Sequence, residues 1–151
     1  MSDFTSHMEA ALEEARAAAT RGEVPVGAVL VGADGKVLAR AGNRTRELSD
    51  PTAHAEMLAI RDACAEIGSE RLTGSSLYVT LEPCAMCAAA ISAARIARLY
   101  YGAEDPKSGG VTHGARVFTH PQAHHVPEVY DGIGAEEAGA VLKNFFSTKR
   151  I

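Results

Sequence analysis

The sequence lacks the features that would place it in a membrane or outside the cell. It has no run of about eighteen apolar residues, so no segment is predicted to span a bilayer. Residues 1–19 carry acidic side chains within their apolar part, which a secretory signal peptide would not. We therefore expect a cytoplasmic protein that does not act in a membrane.

Cysteine is also scarce, with three residues among 151. In an intracellular chain, so few cysteines are more often metal ligands or catalytic groups than disulfide partners. A chain of this length buries enough surface to form a core without disulfides. There is no internal repeat, linker or low-complexity tract, and we expect one domain that spans residues 1–151.

An excess of positive charge is missing as well, because the formal net charge is −4. This argues against broad, nonspecific binding to nucleic acid, whose affinity comes largely from neutralising phosphates. The net charge still leaves room for a local basic patch. Two short basic clusters are present, one at Arg44 and Arg46 and the other at Lys149 and Arg150.

What is present is an alternation of helix and strand patterns. The first helix is predicted from apolar residues at helical spacing: Met8, Leu12, Ala15 and Ala19. Thr5 or Ser6 is predicted to cap its start, and Gly22 to end it. Strands are predicted over 24–32 and 36–42, joined by a turn at Asp34-Gly35, and over 75–82 and 97–103. Further helices are predicted over 54–67, 84–94 and 134–146, while 111–129 shows no clear period. This order indicates an α/β fold of three layers, α/β/α, around a central mixed β-sheet.

Two short motifs at predicted helix starts carry chemistry. The stretch "PTAHAEMLAIRDA" contains His54 and Glu56, and "LEPCAMCAAA" contains Cys84 and Cys87. Residues three apart on a helix share a face, and a helix N-terminus favours the thiolate that binds metal. A catalytic zinc ion takes three protein ligands and keeps a fourth position for water. His54 is the natural third ligand because it opens another helix.

Glu56 is predicted to have a different task. It lies two residues after His54, so the two can share a pocket only if the metal sits off the helix end. Zinc lowers the pKa of water to about 7. A carboxylate beside that water can take its proton and deliver it to the substrate.

Simpler interpretations exist for each residue alone. A free cysteine is usually a small core residue, a lone histidine is usually structural, and a CxxC pair also suits redox chemistry. The combination of both motifs favours zinc, whereas Cys64, in the middle of a helix, favours core packing. Four histidines invite a second metal site, but solvated or substrate-contacting imidazoles are favoured because no cysteine or paired carboxylate accompanies them: His113, His120, His124 and His125.

The order H-x-E…P-C-x-x-C is the signature of zinc nucleobase deaminases. Over nearly its full length the chain resembles the bacterial tRNA-specific adenosine deaminase family, within the cytidine/deoxycytidylate deaminase superfamily. The resemblance runs through "EVPVGAVLV", "GNRTRELSDPTAHAE", "LYVTLEPCAMCAAAI" and "LYYGAEDPKSGG" and resumes in "NFFSTKR". It implies a cytidine-deaminase-like fold and one Zn2+ per chain, held by His54, Cys84 and Cys87. Glu56 would be the catalytic proton shuttle.

The resemblance also implies which residues contact the substrate. Asn43 would bind the target nucleoside, and backbone groups at Ala55 and around Pro83 and Cys84 would hold the base and the attacking oxygen. Asp105 and Lys107 would lie near the backbone of the anticodon loop. Taken alone, Asn43 and Asp105 are also ordinary turn residues, and Lys107 a solvated loop charge.

The function implied is hydrolytic deamination of adenosine to inosine at the wobble position of a tRNA anticodon. The implied partners are a tRNA anticodon arm and a second copy of the chain. One alternative is a free-base deaminase acting on guanine or cytosine, which the acidic net charge favours. Another is a noncatalytic, zinc-stabilised RNA-binding module, which Glu56 disfavours because a closed structural site needs no such carboxylate.

Overall fold

The computed structural model describes residues 3–148, which form four α-helices, one short 3-10 helix (Val117–Thr119) and five strands. In chain order these are α1 (Asp3–Thr20), β1 (Gly27–Val31), β2 (Val37–Gly42), α2 (Ala55–Ile67), β3 (Ser76–Leu81), α3 (Ala85–Ala93), β4 (Arg98–Ala103), β5 (Glu128–Tyr130) and α4 (Ala135–Thr148). Among these residues, no helix is both long and apolar enough to cross a membrane.

The strands form one mixed sheet in the order β2-β1-β3-β4-β5. β1 is antiparallel to both of its neighbours, β2 and β3, whereas β3, β4 and β5 are parallel. The β1–β2 hairpin turns through Gly35, whose φ of 86° favours glycine. The predicted mixed sheet is therefore confirmed.

Helices cover both faces of this sheet. Side chains of β1 alternate between two cores: Ala28 and Leu30 belong to the first, and Val29 and Val31 to the second. α2 and α3 contribute to the first core, and α1 and α4 to the second. Alternation along a strand sends successive side chains to opposite faces. The three-layer α/β/α arrangement predicted from sequence is thus confirmed.

One glycine sets how closely α1 approaches the sheet. A Cβ atom added to Gly27 at the start of β1 would lie 1.9 Å from the carbonyl oxygen of Ala11 in α1. Real Cβ atoms never come so near to a backbone atom, so the helix packs directly on the strand only because position 27 has no side chain.

Several boundaries differ from the sequence prediction. α1 already includes Thr5 and Ser6, so the prediction that one of them caps this helix is wrong. Ala19 is half-buried, while Ala11 and Ala18 face the core. β1 begins after Pro25, which has no N–H for the ladder.

The segment without a clear period contains β5, which the sequence did not predict. Its three residues are all exposed at the edge of the sheet, so burial leaves no alternating pattern in the sequence. Cys64 is half-buried and packs against the first core, in keeping with its predicted packing role. Lys149 and Arg150 lie outside the described residues.

Candidate active site

Three segments that follow strands meet at one edge of the sheet. β2, β3 and β4 point in the same direction, because β1 is antiparallel to β2 and β3 while β3 is parallel to β4. Their carboxyl ends therefore lie together, where α/β proteins commonly place ligand sites. The segments after these ends carry His54, Cys84 and Asp105, which line one cavity.

Two helices begin at this edge. His54 is the N-cap residue of α2 and Cys84 that of α3, and neither side chain caps its own helix. Both side chains therefore remain available as ligands. Cys87 lies in the first turn of α3 and is buried. The positive ends of the two helices favour negatively charged groups placed between them.

The spacing of the three side chains suits a metal ion. The Nδ1 atom of His54 lies 3.6 Å from the Sγ atom of Cys84 and 3.6 Å from that of Cys87. All three potential ligand atoms lie within 4.8 Å of one another. Typical zinc–nitrogen and zinc–sulfur bond lengths in tetrahedral geometry separate such atoms by roughly 3.6 Å. These residues therefore fit zinc, and they leave a fourth position for water.

The electrostatics of the two thiols also favour a cation. Hydrogen bonding to Cys87 and to His54 lowers the pKa of the Cys84 thiol to about 4, although burial opposes this. Its contact with Cys84, together with burial, raises the pKa of Cys87 far above its ordinary value. Two adjacent thiolates repel each other, and a dication bound between them would allow both to ionise.

Glu56 lies in the first turn of α2 and is only 3% exposed. Burial raises the pKa of its carboxyl group to about 7. A group with a pKa near neutrality can both accept and release a proton at the pH of the cell. Because Glu56 lines the same cavity as His54 and Cys84, it is placed to exchange protons with a ligand there.

The cavity has a volume of about 230 Å³. Besides His54, Cys84 and Glu56, it is lined by Asn43 and Thr45 from one loop and by Asp105 and Ser108 from another. Pockets for drug-sized ligands typically measure about 300–1,000 Å³. The smaller volume suits a small ligand or a single ring of a larger one.

Asn43 connects the cavity to the start of α2. Its Oδ1 atom accepts a hydrogen bond of 2.8 Å from the backbone N–H of Ala55. Because an N–H can only donate, the oxygen must face Ala55, and the amide nitrogen is the remaining end. No hydrogen-bond partner of that nitrogen occurs in the part of the chain that the structure describes. Asn43 therefore has a structural role and retains donors for a ligand.

The other predicted substrate residues lie around the cavity rather than in its wall. The N–H of Ala55 is already used by Asn43. Pro83 is buried, and its carbonyl accepts a hydrogen bond of 2.8 Å from Gly110. Lys107 is exposed next to Ser108, at the rim. Contact of these three residues with a substrate stays a prediction.

Sequence reasoning missed two buried glutamates beside the site, Glu23 and Glu82. Both are 2% exposed, and both accept hydrogen bonds from the loops that line the cavity. A signal was available, because each acidic residue adjoins a buried strand pattern, in "EVPVGAVLV" and "LYVTLEPC".

The four histidines of the loop between β4 and β5, residues 104–127, are not spaced to hold a metal ion together. His113 contacts Glu82, His120 contacts the carbonyl of Ala115 at 2.7 Å, and the backbone of His125 is bonded to Ser92. Across residues 3–148, one group of three or more His, Cys, Asp or Glu side chains is spaced to hold a metal, and it is His54, Cys84 and Cys87.

Fold and site together define a zinc-binding deaminase. Residues 1–103 match the sequence model of the cytidine and deoxycytidylate deaminase zinc-binding region. The chain belongs to this family and, within it, to the group of the tRNA-specific adenosine deaminases. It is 60% identical to the tRNA-specific adenosine deaminase of Agrobacterium fabrum over 151 residues, which cover 100% of this chain and 99% of the relative.

Solved structures agree with this assignment. One, from work on A-to-I editing by tRNA:A34 deaminases at the wobble position of transfer RNA, superposes with a TM-score of 0.89 at 62% identity and covers 91% of this chain and 99% of that one. A guanine deaminase of Bacillus subtilis superposes with a TM-score of 0.64 at 39% identity, over 69% of this chain and 66% of that one.

Proposed function

We propose that this protein deaminates adenosine to inosine at the wobble position of a tRNA anticodon, in the cytoplasm. The observation that carries the proposal is the His54, Cys84 and Cys87 cluster beside buried Glu56, in a chain similar over its whole length to tRNA-specific adenosine deaminases. A single base fits the cavity, and an anticodon loop presents an unpaired base at little unstacking cost.

The chain's own residues divide the chemistry among them. His54, Cys84 and Cys87 would hold one zinc ion, which supplies a Lewis acid that makes water acidic enough to attack at neutral pH. Glu56 accepts a proton from the water whose oxygen bonds to C6 of the adenine. It then returns a proton to the departing amino group, so that the C6–N bond breaks and ammonia leaves.

Asn43 would orient the nucleoside. Its oxygen is fixed by the N–H of Ala55, so the amide nitrogen is held in one place and can donate to a substrate oxygen. A side chain whose orientation is set before binding loses less conformational freedom when the ligand arrives.

Two exposed cations are suited to contact phosphates near the cavity. Arg44 is already paired with Glu47 at 2.5 Å, whereas Arg46 and Lys107 have no acidic partner among the residues that the structure describes. Arg46 belongs to the same loop as Asn43, and Lys107 follows Asp105. We expect these two cations to bind RNA phosphates on either side of the flipped base.

A homodimer is the form in which we expect the enzyme to act. Apart from Ser92, α3 consists of apolar residues, and a helix that is almost entirely apolar is normally buried on every side. Here one face remains exposed, at Ala85, Ala89 and Ala93. A second copy would cover this face. Ala89→Glu should then give monomers in light scattering, whereas Ala140→Glu on the exposed face of α4 should not.

The deciding experiment incubates the zinc-loaded protein with an anticodon stem-loop that contains adenosine at the wobble position. We expect inosine and one equivalent of ammonia. Parallel reactions contain free adenosine, free guanine, free cytosine and a stem-loop with guanosine at that position. The Glu56→Gln variant serves as the inactive control.

Guanine is the second candidate substrate, because the superposition on the Bacillus subtilis guanine deaminase covers 69% of the chain at 39% identity. Faster turnover of free guanine than of the stem-loop would establish it. RNA binding with zinc but without ammonia release from any substrate would instead establish the noncatalytic module. The noncatalytic outcome is not expected, because a binding module has no use for a buried, neutral-range carboxyl group such as Glu56.

A further inference from the structure

Two buried carboxylates, Glu23 and Glu82, take no part in the chemistry described above. Each is 2% exposed, and neither contacts Lys or Arg within ion-pair distance in the part of the chain that the structure describes. A buried carboxylate without hydrogen-bond partners is strongly unfavourable. Here the partners are chiefly backbone N–H groups of the two loops that border the cavity.

Glu82 immediately follows β3, two residues before Cys84. The loop between β4 and β5 surrounds its carboxylate. Its Oε1 atom accepts hydrogen bonds from the N–H of Asp105 at 3.0 Å and from Nδ1 of His113 at 2.8 Å. Its Oε2 atom accepts three backbone N–H groups at 3.2, 2.9 and 3.0 Å, those of Val111, Thr112 and His113. Five donors therefore converge on one side chain.

Two glycines allow the loop to come this close. A Cβ atom on Gly109 would lie 2.5 Å from the carboxylate of Glu82, and one on Gly110 would lie 2.4 Å from the backbone nitrogen of Ala85. The N–H of Gly110 also donates to the carbonyl of Pro83 at 2.8 Å. The loop is thus fixed both to Glu82 and to the segment that carries Cys84.

The anchored loop holds the cavity residues Asp105 and Ser108. Glu82 fixes the N–H of Asp105, and the Oδ1 atom of Asp105 accepts the N–H of Ser108 at 3.0 Å. The turn that includes Lys107 is therefore held at a defined place relative to Cys84. Without the carboxylate, four backbone N–H groups would lose their partner.

Glu23 does the same for the other loop. Its carboxylate accepts the backbone N–H groups of Arg46 at 3.2 Å and Glu47 at 2.9 Å, and the hydroxyl of Thr45 at 3.4 Å. Thr45 lines the cavity, and Arg46 is one of the two cations without an acidic partner. Both loops that face the substrate are thus tied to buried carboxylates.

We propose that Glu82 and Glu23 are positioning residues that hold the two rim loops, residues 43–54 after β2 and residues 104–127 after β4, in the conformation that binds RNA. This inference rests on the proposed function, because it assigns the loops to the substrate of that site. Loops that are ordered before binding lose less conformational entropy when the substrate arrives. Loss of this order should therefore weaken substrate binding and leave the rate of the chemical step unchanged.

The test compares Glu82→Gln with Glu104→Gln in the zinc-loaded enzyme. Glutamine offers one acceptor oxygen, and its NH₂ group cannot accept from the N–H donors that face it. Glu104 is a matched control, because it lies in the same loop, contacts His113 from the other side at 3.4 Å and is 54% exposed. For Glu82→Gln we expect a roughly tenfold higher KM for the stem-loop, with kcat and zinc content close to those of the parent.

Amide hydrogen exchange supplies a readout that does not depend on substrate. In Glu82→Gln, the amides of residues 105 and 111–113 should exchange at least about tenfold faster, while those of residues 46 and 47 keep the parent rate. Glu23→Gln should reverse this pattern. Gly109→Ala should resemble Glu82→Gln, because its new methyl group displaces the carboxylate. Glu104→Gln should match the parent in exchange and in KM.

The outcomes separate the two proposals. A parent enzyme that fails to deaminate the stem-loop overturns the proposed function and the assignment of the loops to RNA, while exchange still shows whether the carboxylates anchor them. If the parent is active but Glu82→Gln and Glu23→Gln keep its KM, the positioning role is wrong. Loss of zinc together with activity in Glu82→Gln would place its effect on the metal site and overturn the role proposed for Glu82.

Discussion

At the residue scale, the site depends on side chains that make no hydrogen bond to the helix on which they lie. His54 and Cys84 occupy N-cap positions, where a side chain usually bonds the helix backbone, yet neither does so. Asn43 instead supplies the hydrogen bond to the N–H of Ala55. The first N–H group of α2 is therefore bonded by a residue of the preceding loop, and the side chain of His54 stays available for a ligand.

The zinc assignment predicts that replacing Cys87 and replacing Cys64 have different effects on zinc content. Cys87→Ala should reduce the zinc content of the purified protein from one ion per chain to a background level, because two ligands do not retain the ion. Cys64→Ala, at a half-buried position that packs against the core, should keep one equivalent. Metal analysis of both variants checks this. Full zinc content in Cys87→Ala would remove that residue from the ligand set.

Replacing Glu56 should strongly reduce turnover without affecting metal binding. Glu56→Gln preserves size and burial but cannot carry a proton, so kcat should fall by about 10²-fold or more. Zinc content and the unfolding midpoint should stay near those of the parent, because Glu56 is not a ligand. The measurement is single-turnover inosine formation on the stem-loop, with metal analysis on the same sample. Substantial remaining turnover would mean that another group moves the proton.

At the scale of elements, the two rim loops bring charge to a protein whose net charge is negative. Lys107→Ala and Arg46→Ala should each weaken stem-loop binding and reduce the salt dependence of log K by about 0.7, the value for one phosphate contact on a single strand. Binding titrations at several salt concentrations measure this slope. Lys36→Ala, which removes an exposed lysine from the β1–β2 turn, is the control and should leave the slope unchanged.

The packing of α1 on β1 should fail if the strand acquires a side chain at its start. Gly27→Ala should destabilise the protein by about 3 kcal/mol or more, because the methyl group would overlap the carbonyl of Ala11. Gly139→Ala, in α4, meets nothing within 4 Å and should stabilise the protein by roughly 0.5–1 kcal/mol. Urea unfolding of the two variants should shift the midpoint in opposite directions. Equal shifts would mean that the packing of α1 on β1 does not require a glycine at position 27.

At the scale of the whole molecule, Glu23 links stability to pH. Burial alone would raise the pKa of its carboxyl group, but the N–H groups of Glu47 and Arg46 and the hydroxyl of Thr45 hold it below the ordinary value. A carboxyl group with a lower pKa in the folded state stabilises the protein above the unfolded-state pKa of about 4.5. This contribution is lost as the pH falls through the lower folded value.

Glu23→Gln should therefore be less stable than the parent by about 1–3 kcal/mol near pH 7. The difference should shrink as the pH falls from about 4.5 through the lower pKa of the folded state, because the unfolded chain binds a proton at this carboxyl group more readily than the folded protein does. Unfolding curves of both proteins at matched pH values measure the difference, so effects common to both cancel. Glu13→Gln is the control, because the side chain of Glu13 is 61% exposed and, among the residues that the structure describes, it pairs with Arg40 at the surface. A difference that is constant with pH would mean that Glu23 stabilises the fold without its charge.

The sequence by itself determined the order of the main elements and the core of the site. Helical and strand periods arise from local geometry, so α2, α3, β3 and β4 were predicted to within a few residues. His54, Glu56, Cys84 and Cys87 were recognisable because zinc chemistry demands those residue types at helix starts. The bond between Asn43 and Ala55, by contrast, depends on how a loop packs against a helix twelve residues away.

Only the tertiary structure decided which loops border the cavity and what holds them. Glu82 meets His113 across thirty-one positions, and Glu23 meets Glu47 across twenty-four. No local pattern encodes such contacts. β5 also escaped the sequence prediction, since an exposed three-residue edge strand exists only through its pairing with β4. Local propensity and motif spacing therefore specified the elements and the candidate metal ligands, whereas long-range hydrogen bonds tie the loops around the cavity to two buried carboxylates.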